Sequence, residues 1–282
     1  MGENRRKLMH KLPSLKHHSL SEIPVSVVIP VFNEEKIIQK NLEILASFFD
    51  NFLGFGKWHF IVVDNGSKDR TSEIIAAFRE KQPLTQSVYL PAPNYGEALK
   101  AGLKHAKTKY VYLLDIEQWD LPFIAWAWKN KERFDLFLAS KRADPTLCFQ
   151  APYRKILSCG LNALLQLFLG FSGTDTHGPK LIHREALESI IHLCQLDRGQ
   201  FDTELVLRAL RSQMRIVEIP GMYQEMRPHR NWMIKKIIWN IFAFRRLVNV
   251  MKDVPYIGFI RFYRYTREDV LSETRDIQFL AE

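Results

Sequence analysis

Residues 24–35 read PVSVVIPVFNEE. A short β-branched run that stops at a proline, with no polar alternation, describes a strand buried on both faces, as in a parallel sheet. Phe32, Asn33, Glu34 and Glu35 then open a helical pattern that runs through Phe49. The unit recurs outward from there. His59 to Val63 is a second strand ending in Asp64-Asn65-Gly66-Ser67, and Ser67 or Asp69 can cap a helix over Thr71 to Glu80. Val88 to Leu90 leads to Asn94-Tyr95-Gly96 and a helix over Glu97 to Ala106, and Tyr110 to Leu114 is a fourth strand that terminates at Asp115. Alternating strands and helices define an α/β, doubly wound, Rossmann-like sheet, with ligands beyond the carboxyl ends of the strands. From Asp135 the pattern loosens into a strand (Phe137 to Ala139), a helix (Tyr153 to Leu169), a strand or turn (Lys180 to His183), a helix (Thr203 to Ser212) and a strand (Arg215 to Ile219).

The strand ends supply acids. Asp64 follows the second strand, and Asp115 with Glu117 follows the fourth. Two carboxylates one residue apart can share a hard cation, Mg²⁺ or Mn²⁺, whose remaining positions go to water and substrate phosphates. By itself a D-x-E is a weak motif that reads first as a solvated strand-end turn.

The chain has 282 residues, 46% of them hydrophobic, enough for one large core. Its formal net charge of +9 implies anionic partners. Cys148, Cys159 and Cys194 have no CxxC spacing, which indicates neither a disulfide framework nor a zinc site and favours a reducing, cytoplasmic location. Residues 1–22 form a basic tail without an apolar core of the signal-peptide kind. Ile156 to Phe171 is broken by Asn162 and Gln166 and is too short to span a bilayer. Trp232 to Met251 is apolar but carries Lys235, Lys236, Arg245 and Arg246, so it reads as an amphipathic helix lying on an anionic membrane or packed on the domain. The basic residues lie in the tails and the second half, not on one aromatic-studded face, which argues against nucleic acid.

The succession VVIPVFNEE, VVDNGSKDRT, NYGEALKAGLKHA and YVYLLDIE resembles, in order and spacing, the nucleotide-binding half of family-2 glycosyltransferases with the GT-A fold. LASKR, YRKILSCGLNALLQLFLG, GTDTHGPKLIHREAL and FDTELVLRALRSQMRIVEIP are similar to the second half of dolichyl-phosphate mannose synthases and related polyprenyl-phosphate sugar transferases. The resemblance implies a mixed GT-A sheet flanked by helices. It divides the chain into a catalytic domain over 23–228, with a nucleotide-binding half to 120 and an acceptor half from 121, and a basic, amphipathic helical region over 229–282. Pro30, Phe32, Asn33, Glu34, Asp64, Gly66, Ser67, Asn94 and Gly96 match donor-nucleotide positions, with Gly96 allowing backbone to approach the nucleotide. Asp115 and Glu117 match the metal-binding D-x-D. Three positions depart from the pattern: Asn65 and Glu117 stand where relatives carry aspartates, and Trp119 where they place an amide ligand.

The implied activity is inverting transfer of a hexose from GDP-mannose or a UDP-hexose, with GDP-mannose slightly favoured, to a polyprenyl or dolichyl phosphate on the cytoplasmic face of a membrane. A phosphate monoester, with a second pKa of about 6, is largely ionised at neutral pH and needs cations where a hydroxyl acceptor needs a base. Lys141, Arg142, Arg154 and Ser158 match the positions that hold such a phosphate, and Arg227 a position facing the diphosphate. If the acceptor is a sugar hydroxyl, Asp202 or Glu204 is the candidate base; Asp175 and Glu204 are placed in the sugar pocket, with a Glu204–Arg208 pair at i,i+4 as the alternative. A non-catalytic GT-A domain that binds nucleotide or a partner is the reading from another class.

Overall fold

A computed structural model describes residues 23–224, 233–252, 254 and 262–277. The basic tail and Arg227 lie outside the described residues, as do the side chains of Arg154 and of 233–240. The strands are β1 (Val25–Val31), β2 (Trp58–Asp64), β3 (Thr85–Tyr89), β4 (Tyr110–Leu113), β5 (Leu136–Ser140), β6 (Cys148–Phe149), β7 (Lys180–His183), β8 (Ile216–Pro220), β9 (Tyr223–Gln224) and β10 (Tyr263–Arg264). The helices are α1 (Ile38–Leu53), α2 (Thr71–Lys81), α3 (Tyr95–His105), α4 (Leu121–Lys129), α5 (Pro152–Leu169), α6 (Arg184–Ile191), α7 (Gln200–Arg211), α8 (Met233–Met251) and α9 (Arg267–Glu273).

Eight strands form one sheet in the order β10-β8-β5-β7-β4-β1-β2-β3. β7 runs antiparallel to both of its neighbours, β4 and β5, while the other pairings are parallel. The carboxyl ends of β1, β2, β4, β5 and β8 therefore share one edge, and β7 starts there. β6 and β9 pair separately as a small clasp above that edge.

Period-2 alternation distributes the core between the two faces. Val27, Ile29, Phe60, Val62 and Tyr112 point toward Leu42, Phe49, Phe78 and Trp126 from α1, α2 and α4. Val28, Ile61, Val63 and Val111 point toward Leu99, Leu103, Leu205 and Leu247 from α3, α7 and α8. The boundary expected at 228 does not divide the fold: β10 extends the main sheet beside β8, and Val270 of α9 is buried in the first core layer. Hydrogen bonds from Arg133 to Tyr265 (2.7 Å) and from Asn130 to Glu273 (3.0 Å) hold this C-terminal segment in place.

At the opposite edge the chain buries a polar chain of side chains. Ser26 Oγ lies 2.8 Å from His59 Nε2 and 2.6 Å from Thr108 Oγ1, which donates to Tyr110 O at 2.7 Å. Burial pushes the His59 imidazole down from 6.5 to about 4, against a backbone hydrogen bond at Phe60. Between these values the unfolded chain takes up a proton that the folded chain refuses, so stability falls as pH drops, by up to about 3 kcal/mol. Urea unfolding at pH 7 and pH 4.5 should show a smaller loss for His59→Gln than for the natural sequence. Equal losses would remove His59 as the source.

Candidate active site at the carboxyl edge of the sheet

The loops after β1 and β2 are stapled together. Asn33 takes φ +55°, which ends the strand and delays α1 to Ile38, later than the sequence pattern implied. Asn33 N donates to Ser67 Oγ (3.0 Å), Lys68 N to Asn33 Oδ1 (2.8 Å), and Glu34 N to Thr71 Oγ1 (2.8 Å). Asp64, 3% exposed, accepts from Ser67 N at 2.9 Å on one oxygen and from Ser72 Oγ on the other. Each oxygen retains a further acceptor site. Gly66 holds φ +75°, the turn that brings Ser67 N back to Asp64. Pro30, Phe32, Asn33, Glu34, Asp64, Gly66 and Ser67 thus share one rim.

Asn94 caps α3 and ties that rim to the second half of the chain. Its N–H donates to Asn65 Oδ1 (2.6 Å), its Oδ1 accepts from Arg198 N (2.9 Å), and its Nδ2 donates to Asp197 Oδ2 (3.2 Å). The amide of Asn65 fills the acceptor role an aspartate would fill, so this departure costs the frame no hydrogen bond. Gly96 serves another purpose than the sequence suggested: a Cβ there would lie 2.5 Å from Arg198 N and 2.7 Å from Asp197 C. The close approach is to the 197–198 backbone.

After β4, Asp115 Oδ1 accepts from Glu117 N at 2.9 Å, Gln118 N turns back to Asp115 O at 3.2 Å, and Asn41 of α1 clamps Ile116 O at 2.7 Å. Asp115 and Gln118 line a cleft of about 410 Å³. The same cleft is lined by Lys141, Arg142, Ser158 and Asp175, so it gathers donor-side and acceptor-side candidates from distant parts of the chain. Leu157, Leu161 and Leu165 of α5 and Ala243, Phe244 and Leu247 of α8 form apolar walls. Among the described residues, two polar groups in it have no hydrogen-bond partner: Arg142 Nε and Asp175 Oδ2. Asp175 Oδ1 accepts from Thr176 N (2.8 Å) and His177 N (3.1 Å), and its Oδ2 lies 3.9 Å from Lys141 Nζ. Burial alone would raise this carboxyl; the Lys141 ammonium, His177 and the backbone donors outweigh it and hold Asp175 below the usual carboxylate range.

Asp202 and Glu204 are not on the cleft wall. Asp202 pairs with Lys180 at 2.7 Å, both side chains being 2% exposed. Glu204 is fully buried, accepts from Gln195 N (3.0 Å) and Leu196 N (2.7 Å), and pairs with Arg208 at 2.6 Å. It holds the turn before α7 and has no place in a sugar pocket.

Three residues that the sequence reading passed over do essential positioning. Glu218 in β8 accepts from Thr174 N (2.8 Å), Thr174 Oγ1 (2.8 Å) and Asp175 N (3.0 Å), fixing the strap that carries Asp175. Asp120 caps α4 through Phe123 N (3.0 Å) and accepts from Met222 N (2.8 Å) and Arg267 (2.7 Å). Lys180 is the third. The signal for Glu218 and Lys180 was a charge inside an apolar strand.

Residues 26–119 match the family model described as Glycosyl transferase family 2. Over 230 residues the chain is 26% identical to a dolichyl-phosphate beta-glucosyltransferase of Trichomonas vaginalis, covering 77% of this chain and 68% of that protein. Over 236 residues it is 26% identical to a dolichyl-phosphate beta-glucosyltransferase of Dictyostelium discoideum, covering 77% and 72%. Its fold is similar to that of Mycobacterium tuberculosis glucosyl-3-phosphoglycerate synthase, solved in complex with Mn²⁺, UDP and phosphoglyceric acid, with a TM-score of 0.60, 18% identity, and coverage of 89% of this chain and 84% of that one. The molecule is a glycosyltransferase with the GT-A fold. More particularly, residues 26–119 are the part of the chain that is similar to the family-2 glycosyltransferase model.

Gly96→Ala tests the packing of the donor rim. A methyl group driven against backbone should cost about 1–3 kcal/mol in urea unfolding and weaken nucleotide binding by calorimetry. Natural stability with natural affinity would contradict the contact with Asp197 and Arg198.

Proposed function

We propose that this glycosyltransferase moves glucose from UDP-glucose to a polyprenyl or dolichyl phosphate, with inversion, on the cytoplasmic face of a membrane. The carrying observation is the cleft, which gathers Asp115 with Lys141, Arg142 and Ser158 between the apolar walls of α5 and α8. An anionic head on a long apolar tail fits such a lining. The Trichomonas and Dictyostelium relatives, both dolichyl-phosphate beta-glucosyltransferases, support glucose and a dolichyl phosphate, and the UDP-bound synthase supports the nucleotide. They move the reading away from the GDP-mannose that the sequence resemblance favoured.

Asp115 and Glu117 fit a divalent cation by the chemistry of their oxygens. No cluster of three acidic, histidine or cysteine ligands occurs among the described residues, so Mg²⁺ or Mn²⁺ would complete its shell from diphosphate and water. Bound there, the ion would offset charge on the departing diphosphate. The donor rim from Pro30 to Ser67, with Asn94, holds the nucleotide. Asp175 faces the sugar. Lys141 and Arg142, with Ser158 and Arg154 from α5, hold the acceptor phosphate so that its oxygen attacks C1 from the face opposite the leaving group. The C1–O bond to the diphosphate breaks as the new C1–O bond forms. Arg227, outside the described residues, stays a candidate for the diphosphate from the sequence resemblance alone.

Asp115→Ala should lower kcat by orders of magnitude with folding intact, as should excess EDTA. Lys141→Ala should raise KM for a short polyprenyl phosphate at least about tenfold, the loss of one charge-assisted contact, and spare donor hydrolysis by water. Turnover with GDP-mannose and none with UDP-glucose would replace the donor.

Ile156, Leu164, Leu167 and Phe168 of α5 and Ile241 and Phe242 of α8 are exposed, 39% to 77% each. Arg245 and Arg246 of α8 are exposed as well. Among the described residues no helix is long and apolar enough to cross a membrane. We assign this apolar face to the bilayer surface, where each nearby cation adds about 1 kcal/mol of attraction to an anionic leaflet. Flotation with phosphatidylserine liposomes at low salt should fail for the Leu167→Glu/Phe242→Glu variant, which should still use a detergent-solubilised acceptor. Undiminished flotation would move the contact elsewhere.

A further inference from the structure

We infer that Tyr223 is a positioning residue for the transfer proposed above: the face of its ring holds the Lys141 ammonium where an acceptor phosphate can reach it and keeps it from closing onto Asp175. Tyr223, Lys141 and Asp175 line the same cleft.

Neighbouring strand ends bring the ring and the ammonium together. Ser140, the last residue of β5, pairs in register with Pro220, the last of β8. Ser140 Oγ accepts from Arg142 N and Ala143 N, both at 3.1 Å, which fixes the turn that carries Lys141. After β8, Gly221 N donates to Ser140 O at 3.0 Å and Met222 N to Asp120 Oδ2 at 2.8 Å, and Tyr223 then pairs with Cys148 in the β6–β9 clasp. Glycine suits position 221, since a Cβ there would lie 2.9 Å from that of Ala139. The backbone is thus pinned at successive residues as it passes the end of β5, and the Tyr223 ring comes to lie beside the Lys141 side chain.

Lys141 Nζ lies 4.7 Å from the centroid of that ring, a distance at which an ammonium is attracted by the negative face of an aromatic quadrupole. Only 16% of the Lys141 side chain is exposed, so water competes little for the charge and the attraction lies toward the stronger end of its range. The ammonium also faces Asp175 Oδ2, at 3.9 Å, beyond hydrogen-bond distance, and that oxygen has no hydrogen-bond partner among the described residues. A flexible lysine stem would close this gap if nothing held it back, because a buried carboxylate oxygen left unbonded is costly. Closed, the pair would spend the Lys141 charge on Asp175 and the free oxygen of Asp175 on Lys141, and both would be withdrawn from the substrates. The ring face supplies the competing attraction with no oxygen and no charge of its own. The ammonium therefore keeps its three donors for an incoming phosphate.

Reductive ¹³C-methylation of the full chain keeps the lysine charges and gives a readout that needs no turnover. The Lys141 methyl protons, assigned by their loss in Lys141→Arg, should be shifted upfield by the ring in the natural chain and in Tyr223→Phe. They should return to the position of the other lysines in Tyr223→Leu, or in Tyr223→Met where the leucine variant does not fold. An unshifted Lys141 signal in the natural chain, or a shift that survives in a folded leucine or methionine variant, would overturn the inference. In turnover with UDP-glucose, Mn²⁺ and a short polyprenyl phosphate, Tyr223→Leu should raise the acceptor KM about three- to thirtyfold, with kcat and UDP affinity little changed. Tyr223→Phe should stay within about twofold of the natural enzyme, and Tyr223→Leu/Lys141→Ala should have the KM of Lys141→Ala alone. A phenylalanine variant as impaired as the leucine one would assign the effect to the hydroxyl, and losses that multiply in the double variant would separate the ring from Lys141; either result also overturns the inference. A natural chain with an upfield Lys141 signal and no transfer to the polyprenyl phosphate would instead defeat the proposed reaction while supporting the contact.

Discussion

The hydrogen-bonded ladder of β7 is the constraint on which the site depends. Lys180, its first residue, pairs with Leu113 at the end of β4 on one side and with Leu138 near the end of β5 on the other. Because β7 runs against both neighbours, the strap before it must cross the edge where β4 and β5 finish. Asp175 is thereby laid between the loop of Asp115 and the loop of Lys141 and Arg142. Were β7 parallel, that strap would leave from the far edge and the cleft would lose its floor. A single reversed strand thus brings donor and acceptor chemistry into one cavity.

Such a strap has few backbone partners of its own, so buried side chains supply them. Glu218 is fully buried, and burial pushes its carboxyl up, against the donors from Thr174 and Asp175. Its second oxygen faces Arg264 of β10 at 3.5 Å. Asp120 makes a parallel link at the other side of the cleft, joining the D-x-E loop to the turn at Met222 and to Arg267. Removing one partner of a buried pair of this kind typically costs about 3–5 kcal/mol. The C-terminal strand and helix are consequently structural parts of the site, which is why a domain boundary at 228 fails.

How much of this could be read in the sequence follows from where each signal is local. β1 and β2 are β-branched runs and β4 an aromatic and aliphatic one, all ending on polar turns, so their existence and the acids at their ends were legible. α4 was missed because LPFIAWAWK is apolar all round and has no helical stripe, although Asp120 before Leu121-Pro122 is a sound capping signal. α9 was missed despite its capping box between Thr266 and Asp269. The direction of β7 was not legible, since a four-residue strand carries no mark of parallel or antiparallel pairing. For the same reason the partners of Asp202 and Glu218 were invisible: each lies far along the chain or depends on which strand edge it meets.

The pairing of buried acids also bears on the energetics of the proposed transfer. A diphosphate leaving group and a phosphate nucleophile are both anions, and bringing unit charges to about 5 Å at an effective dielectric of about 20 costs about 3 kcal/mol. Any carboxylate left with its charge uncompensated beside them would add to that repulsion. Asp202 is neutralised by Lys180, Glu204 by Arg208 and Asp120 by Arg267, while Glu218 faces Arg264 and Asp175 faces Lys141. Arg142 then remains on the cleft wall with a buried N–H still seeking an acceptor. In the proposed transfer, the balance of charge in the cleft would thus fall to Asp115 and Glu117 with a cation on the donor side and to Arg142 with Lys141, 3.9 Å from Asp175, on the acceptor side, the polarity that would let two anions meet across one anomeric carbon.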